Sequence, residues 1–125
     1  MSTITKEQVL HSFWSSFGVK AYEENSVPDN AQMPYITYQC VTDRFNAEVP
    51  LNASIWTRNS SWTSANTLLR EVEKTLSNGG KLANYGNYSL WIKAGVPFAQ
   101  RMGDENDNLV KRIQLFVYVE YFTEA

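Results

Sequence analysis

Residues 109–122 read Leu-Val-Lys-Arg-Ile-Gln-Leu-Phe-Val-Tyr-Val-Glu-Tyr-Phe, and this stretch decides the fold. The odd positions from 113 to 121 are apolar or aromatic, whereas the even positions include Arg, Gln and Glu. Successive side chains of a strand point to opposite faces, so the odd positions form one continuous apolar row. The β-branched and aromatic content, without Gly or Pro, favours a strand. The sequence therefore predicts a long strand inside a sheet.

The second face of this strand carries Phe116 and Tyr118. Two aromatic side chains so close together are not typical of a face that only meets water. We expect another element, or another copy of the protein, to cover part of this face.

Size and composition restrict the class of protein. A chain of 125 residues fits one domain, residues 1–125. The formal charge of −2 supplies no basic field, so nucleic acid is not an expected partner. Residues at the N-terminus do not form a signal peptide, and there is no run of ~20 apolar residues, which predicts a cytoplasmic protein without a membrane partner. Aromatic residues make up 14% of the chain and are enriched at protein interfaces, which favours assembly.

Two helices are predicted. Thr5 and Gln8 fit a capping box and Gly18 a C-terminal stop, which predicts a helix over residues 6–17. A second helix is predicted over residues 62–77, ended by Asn-Gly-Gly. Its apolar face consists of Trp62, Ala65, Leu69, Val72 and Leu76.

The strands complete the fold prediction. A short strand is possible at residues 19–22, and Pro50 predicts an edge or frayed end for its strand. The order of elements predicts an α+β fold with one mainly antiparallel sheet of about four to five strands, packed by two helices. The main strands are predicted at 35–42, 49–58, 87–94 and 109–122, with a loop at 23–33, a hairpin connection at 43–47, a linker at 81–86 and a long polar loop at 95–108.

Two predicted connections carry candidate interface residues. Arg44 and Phe45 lie near the tip of the hairpin connection, and Arg101 and Met102 lie in the long polar loop. Arg beside an aromatic or Met side chain is typical of an interface hot spot, although ordinary surface is the alternative interpretation.

The acidic residues Asp104 and Glu105 are the best candidates for a charged site. The spacing from Asp104 begins like a calcium loop, but Leu109 stands where that loop needs Gly and Leu115 where it needs Glu. We therefore predict no metal there, and instead a solvated loop or a protein-contact loop that orders on assembly.

The sequence gives little support for catalysis. It contains one His, His11, and one Cys, Cys40, and lacks the short motifs of phosphate-binding loops, serine hydrolases and zinc proteases. A single Cys also excludes an internal disulfide. We predict a solvated or hydrogen-bonded His11, a buried apolar role for Cys40, no cofactor and no enzymatic activity.

Three segments together carry a family resemblance. They are Met-Pro-Tyr-Ile-Thr-Tyr-Gln at 33–39, Ser-Ile-Trp-Thr-Arg-Asn-Ser at 54–60 before an amphipathic helix, and the strand ending Tyr-Val-Glu-Tyr-Phe. Over most of its length the chain resembles, in pattern, the tail terminator (tail completion) proteins of long-tailed bacteriophages.

This resemblance implies a structural virion protein of the tail neck region, assembled in the host cytoplasm. It implies a hexameric ring that caps the tail tube, ends its polymerisation and offers a surface to the head-side connector protein. The predicted loops at 43–48 and 96–108 would contact the axial neighbours. Sheet edges and aromatic surfaces would join the subunits.

Two alternatives remain open at this point. The first is another ring-forming neck subunit, a head-closure or adaptor protein, although those proteins are more β-rich. The second is a small host α+β domain that binds a ligand, which would need a concave apolar pocket with a few converging polar groups.

Overall fold

The computed structural model describes residues 6–40, 48–85, 88–103 and 107–123. A 3-10 turn, Ser15–Phe17, follows the first helix directly. In chain order the elements are α1 (Lys6–Trp14), β1 (Lys20–Glu23), β2 (Tyr35–Tyr38), β3 (Val49–Arg58), α2 (Thr63–Leu76), β4 (Lys81–Tyr85), β5 (Tyr88–Gly103) and β6 (Val110–Thr123).

The strands form one sheet of six strands in the order β1-β2-β3-β6-β5-β4. The predicted α+β class with one sheet and two helices is confirmed, whereas the predicted count of four to five strands is too low. The sheet is mixed because β1 and β2 run parallel, and the other neighbouring strands are antiparallel. The terminal strand β6 lies between β3 and β5, inside the sheet as predicted.

The core lies on one face of the sheet. The alternation predicted for β6 is confirmed, since the odd positions from Ile113 to Tyr121 are at most 2% exposed. Leu51, Ala53 and Ile55 of β3 lie on the same face. Both helices contribute to this single apolar cluster, so they cover the same side of the sheet.

Local sequence explains where the helices end. The first helical segment stops at Gly18, whose φ of 83° is in the left-handed region that glycine adopts readily. At the start of α2 the Ser61 hydroxyl accepts a hydrogen bond of 3.1 Å from the Thr63 amide. Ala65, Val72 and Leu76 of α2 are buried, as predicted, whereas the predicted cap at Thr5 lies outside the described residues.

Two segments predicted as connections are strands. The predicted linker at 81–86 contains β4, and the predicted loop at 95–108 is β5 as far as Gly103. Gly95 and Pro97 resemble turn residues, but here they belong to a bulge, where a strand tolerates proline. Strand β4 lies at the sheet edge and buries only Ala83 among its described side chains, so its sequence lacks the apolar alternation of an inner strand.

The β2–β3 pair is shorter than predicted. Regular pairing of β2 extends from Tyr35 to Tyr38, opposite residues 53–56, and residues 41–47 lie outside the described part. Pro50 lies beyond this register, paired only with β6 among the described strands, which agrees with the open end that proline predicts.

Candidate interaction surface

Neither described helix packs on the second face of the sheet, which we call the helix-free face. It consists of the even positions of β6 and of the residues in register with them on the neighbouring strands. Its aromatic members are all half-buried or exposed, which distinguishes them from the core aromatics Phe13 and Trp14. They are Tyr22, Tyr35, Trp56, Trp91, Phe116, Tyr118 and Phe122.

At one end of the helix-free face, a row of three rings and one guanidinium group crosses four strands. The ring centroids of Tyr22 and Tyr35 are 5.7 Å apart, and those of Tyr35 and Trp56 are 6.3 Å apart. The guanidinium carbon of Arg112 lies 4.8 Å from the Trp56 ring centroid, a cation–π contact. We call these four residues the aromatic row.

Polar contacts fix the aromatic row in place. The Trp56 indole N–H donates to the Thr37 hydroxyl at 2.9 Å, and Arg112 Nε donates to the Ser54 hydroxyl at 3.0 Å. Ser54 is only 3% exposed, so its hydroxyl needs such a partner. These hydrogen bonds restrict the rotamers of Trp56 and Arg112 in the unbound protein.

The middle of the helix-free face contains a small hollow beside Phe116. The register of β5 with β6 jumps from Ala94–Val117 to Ala99–Leu115, so residues 95–98 bulge out opposite Phe116. This bulge borders a hollow of about 120 Å³ that Phe116 and Tyr118 also line. Val96 is 93% exposed and Tyr118 is 37% exposed. An apolar side chain from another molecule could therefore contact this region.

Charges are separated along the helix-free face. The aromatic row carries Arg112, whereas Glu120 lies at the other end of the same strand. Lys93 and Glu48 form an exposed ion pair close to that second end. The face therefore has the Arg112 cation at one end, and the Glu120 carboxylate beside the Lys93–Glu48 ion pair at the other.

A further ion pair joins the end of β3 to the segment before β6. Arg58 pairs with Asp107, and Asp107 also accepts a hydrogen bond from the Leu109 amide. The Arg58 hydrogen bond, followed by the Leu109 amide, lowers the pKa of the Asp107 carboxyl. Both partners are partly exposed, so this ion pair orients the connection more than it stabilises the fold.

Arg101 and Met102 were predicted to lie in a loop, and that prediction is wrong. Both residues belong to β5. Consecutive strand residues point to opposite faces, so these two side chains cannot form one hot spot. Arg101 lies on the helix side, where its guanidinium carbon is 4.9 Å from the Trp62 ring centroid and its Nη2 donates to the side-chain Oδ1 of Asn66 at 3.3 Å. Met102 lies on the helix-free face in register with Arg112.

Lys111 and Arg112 lie among the first residues of β6, directly after Val110. Both belong to the central strand β6, where they project to opposite faces. Lys111 Nζ lies 5.7 Å from the Trp62 ring centroid on the helix side, whereas Arg112 joins the aromatic row.

The remaining predicted interface residues divide into two groups. Phe116 and Tyr118 lie on the helix-free face, Phe116 half-buried and Tyr118 exposed, so the predicted second face of β6 exists. Arg44, Phe45, Asp104 and Glu105 lie outside the described residues. Their predicted roles stay predictions.

His11 is hydrogen-bonded, as predicted. Its Nδ1 lies 3.1 Å from the Tyr38 hydroxyl and its Nε2 lies 3.2 Å from the Ser15 hydroxyl. Burial, with smaller effects of Cys40 and nearby carboxylates, raises the pKa of Tyr38 to about 12, so the phenol stays protonated at neutral pH. A neutral phenol cannot stabilise an imidazolium as the carboxylate of a catalytic triad does. The arrangement therefore serves to tie α1 to β2.

Other chemistry has little basis in the described residues. Cys40 is half-buried and packs against the apolar core, which fits its predicted apolar role in part. Within the described ranges, no group of three His, Cys, Asp or Glu side chains is placed to hold a metal ion. Neither described helix has the length and apolarity that a membrane crossing requires.

Sequence reasoning missed most of the aromatic row. Tyr22, Tyr35, Trp56 and Arg112 come from four strands, and only the register between the strands brings them together. Alternation along β6 placed Arg112 on the same face as Phe116, which was the one available signal.

Comparison with protein-family models, with curated proteins and with solved structures finds no match for this chain. The functional argument therefore depends on the residues and their arrangement.

Proposed function

We propose that this protein is a structural subunit that forms a ring at the end of a bacteriophage tail tube, where it stops polymerisation and joins the tail to the head-side connector.

 What supports the proposal is the α+β class of the fold, with one sheet and two helices, because the family resemblance implies an α+β subunit. The tail tube protein and the connector protein are the proposed partners, and the virion neck is the proposed location.

An open strand edge supports the proposed ring. Strand β4 pairs with β5 only from Tyr88 to Ile92, so residues 99–103 of β5 have β6 on one side and no further strand among the described residues on the other. An open edge can pair with a strand of a neighbouring subunit. A head-to-tail contact of this kind gives a closed ring when the rotation between subunits closes.

The described structure changes one part of the docking hypothesis. The segment 96–103 belongs to β5, so the axial contacts proposed for the whole 96–108 stretch are now proposed only for residues beyond Gly103. The stretch at 43–48, with Arg44 and Phe45, keeps its proposed contact with the tail tube.

The experiment that tests the proposed function mixes the purified protein with tail tubes and images them by electron microscopy. A ring at one end of each tube, with tubes that no longer elongate, is the expected result. Tubes that bind no protein and continue to elongate would contradict the proposal. Arg44→Ala and Phe45→Ala together should reduce docking without changing the thermal unfolding of the protein.

A further inference from the structure

We propose that the helix-free face pairs with the same face of a second copy of this chain, with the two β6 strands antiparallel. The proposal goes beyond the ring function, because it concerns the free protein and uses the sheet face and not the strand edge. It rests on the distribution of charge along β6, on the size of the face and on its ordered aromatic side chains.

Charge complementarity selects the second copy as the occupant. Arg112 and Glu120 lie on the same face of β6, each four residues from Phe116 and about 27 Å from one another at 3.4 Å per residue. Consider a two-fold axis that passes over Phe116, parallel to the sheet and perpendicular to β6. This axis brings the two helix-free faces together with their β6 strands running in opposite directions. Arg112 of each copy then faces Glu120 of the other copy.

The neighbouring strand β5 fits the same arrangement. A strand of one molecule lies over the same strand of the second molecule. Residues in register with Arg112 therefore face residues of the second molecule that are in register with Glu120. Met102 therefore faces Trp91 of the second copy, which is an apolar contact between a flexible and an aromatic side chain. The alternative two-fold axis, parallel to β6, would place Arg112 over Arg112 and is disfavoured by repulsion between like charges.

The face is large enough for a stable pair. Each strand residue covers about 16 Å² at a strand spacing of about 4.8 Å and a rise of about 3.4 Å, so β3, β6 and β5, the strands that overlap in the pair, offer on the order of 600 Å² on each copy, at the lower end of the standard range. A standard interface buries about 800 Å² on each partner. Exposed Tyr118 and the hollow beside Phe116 lie near the centre of the pair, where interface hot spots concentrate.

The test measures molar mass by light scattering and sedimentation across a wide range of protein concentration. The wild-type protein should have twice the chain mass of 14.3 kDa. Glu120→Arg and Arg112→Glu should each be monomeric, because each places like charges opposite one another. Mixing these two variants should restore a pair, since both contacts of the mixed pair are then complementary.

A control and a second variant keep the test decisive. Glu73→Arg makes the same charge change at an exposed position of α2, on the other side of the sheet, and should stay paired. If Arg112→Glu does not fold, Tyr118→Glu takes its place, because Tyr118 is exposed and its substitution should separate the pair while keeping the wild-type circular dichroism.

Three results would overturn the pairing: a monomeric wild-type protein, a Glu120→Arg protein that keeps the wild-type mass, or folded single variants that form no mixed pair. None of them bears on tube capping, which the microscopy experiment measures separately. If the wild-type protein forms a ring and the Glu120→Arg variant has the same molar mass, the face-to-face pair is overturned and the proposed function stays intact.

Discussion

Replacing Arg112 by Met tests whether the aromatic row contributes to stability as its geometry indicates. Met keeps most of the aliphatic length of Arg but removes the guanidinium group. The change removes the cation–π contact with Trp56, a kind of contact worth about 0.5–1 kcal/mol at exposed sites and about 2 kcal/mol when desolvated. It also leaves the Ser54 hydroxyl, 3% exposed, without this donor, which costs about 1–3 kcal/mol.

The expected loss is about 2 kcal/mol of unfolding free energy, or roughly 6–10 °C in Tm for a chain of this length. Chemical denaturation with guanidinium, followed by tryptophan fluorescence, measures it directly. Lys93→Met is the matched control. It removes a cation from the same face, but the partner of that cation is the exposed Glu48. That control should change the unfolding free energy by less than about 1 kcal/mol.

A double-mutant cycle with Ser54→Ala identifies the hydrogen bond as the source. In the double variant the buried hydroxyl is gone, so the two changes together should cost about 1 kcal/mol less than the sum of the single changes. Additive costs, or an Arg112→Met protein as stable as Lys93→Met, would refute the interpretation of Arg112 as part of a fixed row.

Three further predictions concern the sheet and its core. Leu115→Ala removes a fully buried side chain from the central strand and should cost about 2–5 kcal/mol in a denaturation experiment, and a cost below 1 kcal/mol would contradict its place in the core. Gly95→Ala places a Cβ 2.8 Å from the Phe116 carbonyl oxygen and should lower the unfolding free energy by about 1–3 kcal/mol. The control Gly103→Ala meets no atom within 4 Å and should change the unfolding free energy by less than about 0.5 kcal/mol. Equal effects of the two substitutions would contradict the close approach at the bulge. Burial raises the pKa of Tyr38 from 10.0 to about 12, so the folded state holds its proton where the unfolded state releases it, and stability should fall between pH 10 and 12 by on the order of 2 kcal/mol. Tyr38→Phe should make this part of the pH profile less steep, leaving the slope that Tyr121 contributes because burial raises its pKa as well, and an unchanged slope would contradict the assignment.

Sequence reasoning succeeded where a pattern repeats locally. The alternation in β6 and the apolar spacing in α2 each depend on neighbours within one element, and both predictions are confirmed. It failed at β4 and in the second half of β5, where the chain gains stability from strand pairing and not from burying an alternate row of side chains. Glycine and proline in the β5 bulge then resembled the residues of a loop.

The candidate surface was predicted only as far as one strand could show it. Phe116 and Tyr118 were found because they belong to the same alternating stretch as the core row. The aromatic row depends on the parallel pairing of β1 with β2 and on the β2–β3 register, which no short sequence pattern specifies. Arg101 and Met102 were grouped by adjacency in the chain, although strand geometry separates adjacent side chains.

The order of the aromatic row bears on what the helix-free face is for. Aromatic side chains that are merely uncovered would lose rotamer freedom on binding, at about 0.5–1.5 kcal/mol for each immobilised side chain. Here Trp56 is held by Thr37 and Arg112 by Ser54 in the unbound chain. Part of the entropic cost of docking is therefore already met by folding. A face arranged in this way is suited to a specific contact, and the charge order along β6 indicates which contact it is.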